Sequence, residues 1–92
     1  LVGIDIQYHR EIKLEQTARK ICTPQEWKLF TQADTEKEKK DFLFQIWTKK
    51  ESYLKFTGDG IRRELCEISY EGCRFYRLVM PEGYSGMVCV EN

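Results

Sequence analysis

Apolar and polar residues alternate at the start of the chain, and this alternation predicts a β-strand. Within residues 1–8, three β-branched residues alternate with glycine and polar residues in the order VGIDIQ. Because successive side chains of a strand point to opposite faces, Asp5 and Gln7 share one face and the apolar residues the other. A carboxylate in an otherwise apolar strand needs a partner, and either structural pairing or metal binding would provide one for Asp5.

Two helices are expected to follow this strand before residue 35. Apolar residues recur at helical spacing through HREIKLEQTARKIC, residues 9–22, which predicts the first helix. The second begins in TPQEW, where Thr23 is suited to the N-cap, Pro24 to the first helical position and Glu26 to a capping box. It is expected to continue to about Asp34.

A third and longer helix carries a lysine where its apolar stripe should continue. We expect it to begin after Asp34 or Thr35, with acidic residues in its first turn, and to end at Thr57-Gly58. An advance of about 100° per residue places Lys50 in the middle of the stripe that should face the core. The apolar members of that stripe are Leu43, Ile46, Trp47 and Leu54.

Two interpretations of this helix face are open from the pattern alone. In one, Lys50 extends past its apolar neighbours to solvent, and Glu51 and Lys55 form an i,i+4 ion pair worth about 0.2–0.5 kcal/mol. In the other, the face borders a cleft that binds an anion, because a buried lysine is costly without an anionic partner. Asp5 and Glu51 would then be two hard oxygen ligands suited to magnesium, and Lys50 and Lys55 would meet phosphates.

Beyond residue 60 the apolar pattern changes from helical spacing to alternation, which predicts an antiparallel meander. Strands are expected in ELCEISY, CRFYRLVM and YSGMVCV, with turns at EG and PEG between them. If the first strand joins the same sheet, residues 1–92 form a single domain of the α+β class. Its order is a strand, three helices and then the strand meander.

Composition and charge argue against several classes of protein. Fifteen Lys and Arg balance fifteen Asp and Glu, so no basic excess indicates a nucleic-acid partner. No apolar run approaches the roughly 20 residues needed to cross a bilayer, and no signal peptide is expected. The four cysteines lack CxxC spacing and there is one histidine, which argues against zinc. We interpret the cysteines as reduced thiols of a cytoplasmic protein.

Two motifs resemble those of the 4′-phosphopantetheinyl transferases. VGIDIQ at Val2–Gln7 is similar to the first motif of that family, approximately (V/I)G(V/I)D(I/V)E. WTKKESYLKFTGDGI at Trp47–Ile61 is similar to the second, approximately W(S/T/C)xKE(A/S)xxKxxGxG. TPQEW between them resembles the (S/T)PxE helix start of the family. The tryptophan, and the absence of a GTDIVE-like opening, favour the surfactin-synthetase type over the small trimeric holo-acyl-carrier-protein synthases.

The resemblance implies a transferase that moves the phosphopantetheine arm of coenzyme A to a serine of an acyl or peptidyl carrier protein. Asp5 and Glu51 match the magnesium-binding carboxylates, and Glu51 would also help to deprotonate the carrier serine, directly or through water. Lys55 matches the lysine that contacts the coenzyme A phosphates, and Lys50 is expected to help it. Gln7 stands where many members have a third acidic ligand, and its amide oxygen binds magnesium without adding charge.

The surfactin-synthetase type has two similar halves with the active site between them, and this chain resembles the C-terminal half alone. The first residue, Leu1, suggests a fragment of a longer protein. A homodimer or the absent N-terminal half would then complete the cleft. An alternative function is a catalytically silent domain that binds coenzyme A or a carrier protein, or that scaffolds a larger synthase. The intact Asp5, Glu51 and Lys55 favour the enzyme, and Gln7 favours the silent domain. A generic α+β domain with surface ion pairs is the third interpretation.

Four other features have both a functional and a simpler interpretation. His9 could touch a nucleotide, but a solvated loop histidine is favoured. The GDG stretch at Gly58–Gly60 could approach phosphate, although a helix end and turn is the simpler interpretation. EKEKK is expected to be a solvated first turn that could border a carrier-protein surface. An exposed apolar face favouring self-association is expected from three strand residues, namely Tyr76, Met80 and Met87.

Overall fold

The computed structural model describes residues 1–58 and 64–92, which form an α+β fold with three helices and an antiparallel sheet. The helices are α1 (Leu14–Ile21), α2 (Pro24–Gln32) and α3 (Glu36–Thr57). The strands are β1 (Val2–Tyr8), β2 (Cys73–Arg77) and β3 (Tyr84–Glu91). The predicted fold class is therefore confirmed. Within the two described ranges, no helix combines the length and apolar composition needed to cross a bilayer.

The sheet has the strand order β1-β3-β2, so the last strand of the chain is its centre. In the antiparallel register, Asp5 of β1 lies opposite Met87 of β3, and Phe75 of β2 lies opposite Cys89. The first strand joins the same sheet as the late strands, as predicted. Asp5 and Met87 therefore occupy the same face of the sheet, which is the face that α3 covers.

The expected strand in ELCEISY is wrong. Leu65–Glu67 forms a 3₁₀ turn, and the residues from Ile68 to Tyr70 have no partner strand in the described sheet. Ile68 and Tyr70 nonetheless pack into the same buried cluster. Their alternating pattern thus comes from two side chains that reach one cluster from a loop. Cys66, expected in a strand, lies in the turn.

Caps confirm the predicted starts of α2 and α3 and the predicted end of α3, whereas α1 begins only at Leu14 and has no side-chain cap. The Thr23 Oγ1 accepts from the Glu26 N–H at 3.2 Å, and the Glu26 carboxylate accepts from the Thr23 N–H at 2.8 Å, which is a complete capping box. The Thr35 Oγ1 caps α3, and Gly58 ends it with a φ of 79°. The rest of the GDG stretch, Asp59 and Gly60, lies outside the described residues.

Gly3 lets α3 contact the sheet through its backbone. A Cβ atom at Gly3 would lie 1.9 Å from the Ser52 carbonyl oxygen and 2.6 Å from the Phe56 nitrogen. No other residue fits without moving the helix, because the atoms that a side chain would meet belong to the backbone of α3. This close approach holds the last turns of α3 beside the strand residues that follow Gly3.

The buried core forms two clusters on the α3 side of the sheet. Phe30 is buried in the first cluster with Trp27 and Trp47 packed against it, and Phe44 is fully buried as well. The expectation that Met87 is exposed is wrong, since its side chain is 3% exposed and shares the covered face with Asp5. Tyr76 is exposed as expected, and the other exposed apolar residues of the strands are Val2, Ile4, Ile6, Tyr8 and Tyr84.

Candidate active site

Asp5 lies at the centre of a polar cluster between β1 and α3. Its carboxylate is almost fully buried, and Oδ1 accepts a hydrogen bond from the Lys55 ammonium at 2.9 Å. Oδ2 accepts from the Gln7 amide nitrogen at 2.9 Å. Lys55 also donates to the Ile4 carbonyl at 3.0 Å. The fold therefore brings together three residues that the sequence separates by up to fifty positions.

Glu51 is the second carboxylate of this cluster. It lies one helical turn before Lys55 and is half-buried. Burial raises the pKa of Glu51, and the negative charge of Asp5 raises it further. Lys55 and a hydrogen bond from the Trp47 side chain oppose that rise without cancelling it. Asp5 and Glu51 are consequently close enough to repel each other, which is the electrostatic setting in which a shared cation is favourable.

The chemistry of these donors fits a divalent cation with a largely hydrated shell. Two carboxylates are hard oxygen ligands of the kind that magnesium takes, together with water and phosphate oxygens. Within residues 1–58 and 64–92, no cluster of three or more His, Cys, Asp or Glu side chains is suited to a metal ion. A metal here would therefore depend on Asp5 and Glu51, with neutral ligands filling the other positions.

Gln7 does not present its oxygen to this centre. Its amide nitrogen faces Asp5, and its Oε1 accepts a hydrogen bond from the Arg10 guanidinium at 3.1 Å. For Gln7 to act as the third oxygen ligand, its amide must turn over and give up both hydrogen bonds. In this arrangement Gln7 connects Asp5 to Arg10.

Lys50 belongs to the core and lies apart from the carboxylate cluster. Its side chain is fully buried, and its ammonium pairs with Glu26 Oε1 at 2.6 Å. It also donates to the carbonyls of Ile21 and Leu65. Both interpretations of Lys50 are therefore corrected: it does not extend to solvent, and its anionic partner is the protein's own Glu26. Because these acceptors match its three N–H donors, the expected role beside coenzyme A gains no support from its position.

The expected i,i+4 pair between Glu51 and Lys55 is also replaced. Lys55 makes its ion pair with Asp5 of β1 and none with Glu51 of its own helix within the described residues. A partner on the strand is favoured because the Asp5 carboxylate is buried and would be left uncompensated without a nearby cation.

Arg10 is a member of this surface that the sequence did not single out. Its guanidinium carbon lies 4.5 Å from the ring centre of Trp47 and 5.6 Å from that of Phe44. Trp47 was predicted only as a core residue, yet its side chain also reaches Glu51. The sequence feature that could have identified Arg10 as a site residue is its position just beyond a strand whose inner face carries a carboxylate.

His9 is held firmly, and the expectation of a solvated loop histidine is wrong. Its side chain is 13% exposed, and Nε2 lies 2.7 Å from the Ser85 Oγ. The ring stacks on Phe44 at 4.6 Å, and Nδ1 lies 3.6 Å from an Asp41 oxygen. Burial lowers the pKa of His9, and Asp41 opposes this only in part. These contacts anchor the chain beyond β1 to α3 and β3.

The sequence and the structure both resemble known proteins. The family model of the 4′-phosphopantetheinyl transferase superfamily matches residues 1–79. The 4′-phosphopantetheinyl transferase HetI of Nostoc sp. is 43% identical over 63 residues, which are 67% of this chain and 26% of HetI. The chain thus spans about a quarter of the length of that relative.

Two solved structures share the fold over 98% of this chain. One is the holo-[acyl-carrier-protein] synthase of Thermotoga maritima, with a TM-score of 0.76, 16% identity and 61% of its chain covered. The other is a holo-(acyl-carrier-protein) synthase of Bacillus anthracis in complex with CoA (3′,5′-ADP), with a TM-score of 0.78, 18% identity and 93% coverage. At these identities the likeness concerns the fold alone.

Proposed function

The chain belongs to the 4′-phosphopantetheinyl transferase superfamily, and on that premise we propose that it catalyses a magnesium-dependent transfer to a carrier protein. The group transferred is the 4′-phosphopantetheine of coenzyme A, and the acceptor is a serine of an acyl or peptidyl carrier protein. The observation that carries the proposal is the cluster of Asp5, Glu51 and Lys55 between β1 and α3.

Asp5 and Glu51 are the proposed magnesium ligands. Their mutual repulsion and the raised pKa of Glu51 support a cation between them. Bound magnesium supplies positive charge to the diphosphate oxygens of coenzyme A. Gln7 keeps Asp5 oriented through its hydrogen bond to Oδ2, and it joins the ligands only if its amide turns over.

Lys55 is the proposed contact to the phosphates. Its ammonium neutralises Asp5 in this structure, while its side chain remains 54% exposed. A half-exposed lysine can reorient at small cost, so it can meet a phosphate oxygen once Asp5 has another cationic partner. The positive charge then stays beside the group that becomes more negative during phosphoryl transfer.

Glu51 is also the proposed proton acceptor from the carrier serine, directly or through a water molecule. A carboxylate with a raised pKa is a stronger base than an ordinary one, which favours this role. The serine oxygen attacks the phosphorus that bears the pantetheine, and the bond to the second phosphate of the diphosphate breaks. Adenosine 3′,5′-bisphosphate leaves with the electron pair of that bond.

Within the superfamily, the proposal assigns the chain to the surfactin-synthetase type, as a counterpart of the C-terminal half. Trp47 and the VGIDIQ opening support this assignment. An N-terminal half or a second copy would then complete the cleft. A cytoplasmic location is part of the proposal, because all four cysteines are free thiols.

The decisive experiment is to incubate the protein with magnesium, coenzyme A and an apo carrier protein and to weigh the carrier by mass spectrometry. The expected result is a gain of one phosphopantetheine group that requires magnesium. A transferase known to modify the same carrier is the positive control. No gain with this chain or with a longer polypeptide that contains it, while the control succeeds, would overturn the transferase proposal.

The orientation of Gln7 favours a second candidate, a silent domain that binds coenzyme A or a carrier protein. Its amide nitrogen faces Asp5, so the third oxygen ligand is not assembled in this arrangement. The same incubation separates the two functions, because a silent domain binds coenzyme A by calorimetry and leaves the carrier mass unchanged. Modification of the carrier excludes the silent domain.

A further inference from the structure

Among the residues that the structure describes, two arginines stack on tryptophans, and they differ in how their charge is compensated. Arg10 lies over Trp47 and Arg19 lies over Trp27, each with 4.5 Å from the guanidinium carbon to the ring centre. Arg19 is neutralised by Glu15 at 2.9 Å. Arg10 has no carboxylate within ion-pair distance among the residues that the structure describes.

Arg10 is nevertheless held in a defined position. The Trp47 ring supports the face of the guanidinium, and Nη1 donates to Gln7 Oε1 at 3.1 Å. A further, longer contact runs to the Tyr8 carbonyl at 3.5 Å. These contacts use one of the two terminal nitrogens, and the guanidinium has five N–H donors. A fixed cation with free donors is suited to an anion from outside the chain.

Two short paths connect Arg10 to the carboxylate cluster. Gln7 accepts from Arg10 and donates to Asp5 Oδ2, so one side chain bridges the two. Trp47, on which Arg10 stacks, also reaches Glu51. One side chain therefore separates Arg10 from each of the two proposed magnesium ligands.

We propose that Arg10 binds the diphosphate of coenzyme A, on the leaving-group side of the bond that breaks. The inference rests on the proposed function, which requires that diphosphate to lie against Asp5 and Glu51. The guanidinium fork matches two phosphate oxygens in a way that a lysine ammonium cannot. When the bond from the pantetheine-bearing phosphorus to the bridging oxygen breaks, that oxygen leaves with adenosine 3′,5′-bisphosphate, whose phosphate gains a negative charge next to Arg10.

The test compares Arg10→Gln and Arg10→Lys with Arg19→Gln as the matched control. The control removes Arg19, which is likewise stacked on a tryptophan, so it shows how much the loss of such a stacking contact alone changes binding and stability. Binding of coenzyme A and of inorganic diphosphate, each with magnesium, is measured by calorimetry, and thermal unfolding checks that each variant is folded. We expect Arg10→Gln to weaken binding of both probes about tenfold or more, since hydrogen bonds between charged groups are stronger than those between neutral groups.

Arg10→Lys should recover part of the affinity, because it keeps the charge and loses the fork. Arg19→Gln should bind both probes like the unaltered chain. Equal affinities for Arg10→Gln and the unaltered chain would overturn this inference and leave the transferase proposal in place. If diphosphate binding depends on Arg10 while no carrier is modified, the phosphate site stands and the transferase proposal fails. If the unaltered chain binds neither coenzyme A nor inorganic diphosphate, the proposed phosphate site at Arg10 is overturned.

Discussion

The Lys55 ammonium lies 2.9 Å from the Asp5 carboxylate, so an exposed lysine of α3 compensates a buried carboxylate of β1. The pair joins residues fifty positions apart and links the helix to the strand at the candidate site. Because Asp5 has a cation here, its burial is tolerated in the absence of a metal. The same lysine is available to a phosphate when a metal takes over this compensation.

Glu51→Gln should abolish transfer without unfolding the protein. The change keeps the size of the side chain and removes the charge that would bind magnesium and accept the serine proton. We expect a loss of about a hundredfold or more in the transfer rate, as for a removed general base. Carrier modification measured by mass spectrometry gives the rate, and circular dichroism checks the fold. Loss of the fold in this variant would show that Glu51 has a structural role.

The same substitution should change how stability depends on pH. Since the folded-state pKa of Glu51 is raised above 4.5, folding favours its protonated form, and ionising it costs stability. The stability that protonated Glu51 contributes is fully present below its pKa in the unfolded chain. It is lost as pH rises through its pKa in the folded protein. The thermal midpoint of Glu51→Gln, measured between about pH 4 and pH 8, should therefore increase relative to that of the unaltered chain as pH rises. A constant difference over that range would contradict the raised pKa of Glu51, which burial and then the charge of Asp5 produce.

Asp5→Asn should remove the stabilisation that magnesium gives. A ligand that binds only the folded state raises its stability, so magnesium should raise the thermal midpoint of the unaltered chain. Asparagine cannot supply the negative charge, and the variant should gain little from the same magnesium concentration. Asp41→Asn is the control, because this half-exposed carboxylate of α3 pairs with Lys37 and His9 outside the cluster. A magnesium response retained in Asp5→Asn would place the metal elsewhere.

Lys50→Met should destabilise the fold by about 3–5 kcal/mol, because it leaves the largely buried Glu26 without its cationic partner. Denaturant unfolding measures the change. Lys37→Met is the comparison, since its pair with Asp41 is exposed to solvent and should contribute much less to stability. Adding Glu26→Gln to Lys50→Met should recover part of the loss. Similar losses for the two lysines would contradict a buried structural pair.

Local signals in the sequence predicted the helices well, whereas partners distant in sequence were missed. Helices begin at Thr23 and Thr35 and one ends at Gly58, each through contacts within four residues. Such local patterns can be recognised directly in the sequence. Glu26 was recognised as a capping residue, and nothing local shows that the same oxygen also receives Lys50 from another helix. The ammonium positions of Lys50 and Lys55 both depend on how helices pack.

The late strands show a second limit of pattern reading. Alternation in ELCEISY predicts a strand because it places Ile68 and Tyr70 on one side, but a loop does the same without strand pairing. The motif positions of Asp5, Glu51 and Lys55 were identified from the resemblance, and their mutual contacts became visible only in the fold. Arg10 was missed because its significance depends on Trp47, a residue of α3 that reaches it only after folding.

The position of β3 between β1 and β2 has a consequence for the order of events during synthesis. Val2 pairs with Val90, so β1 leaves the ribosome long before its partner strand and its ladder cannot form until β3 has been synthesised. Long-range pairings of this kind are slow to form, because a long loop must close first. Asp5 therefore reaches its final position late, and a nascent chain that ends before β3 carries the motif residues without an assembled site.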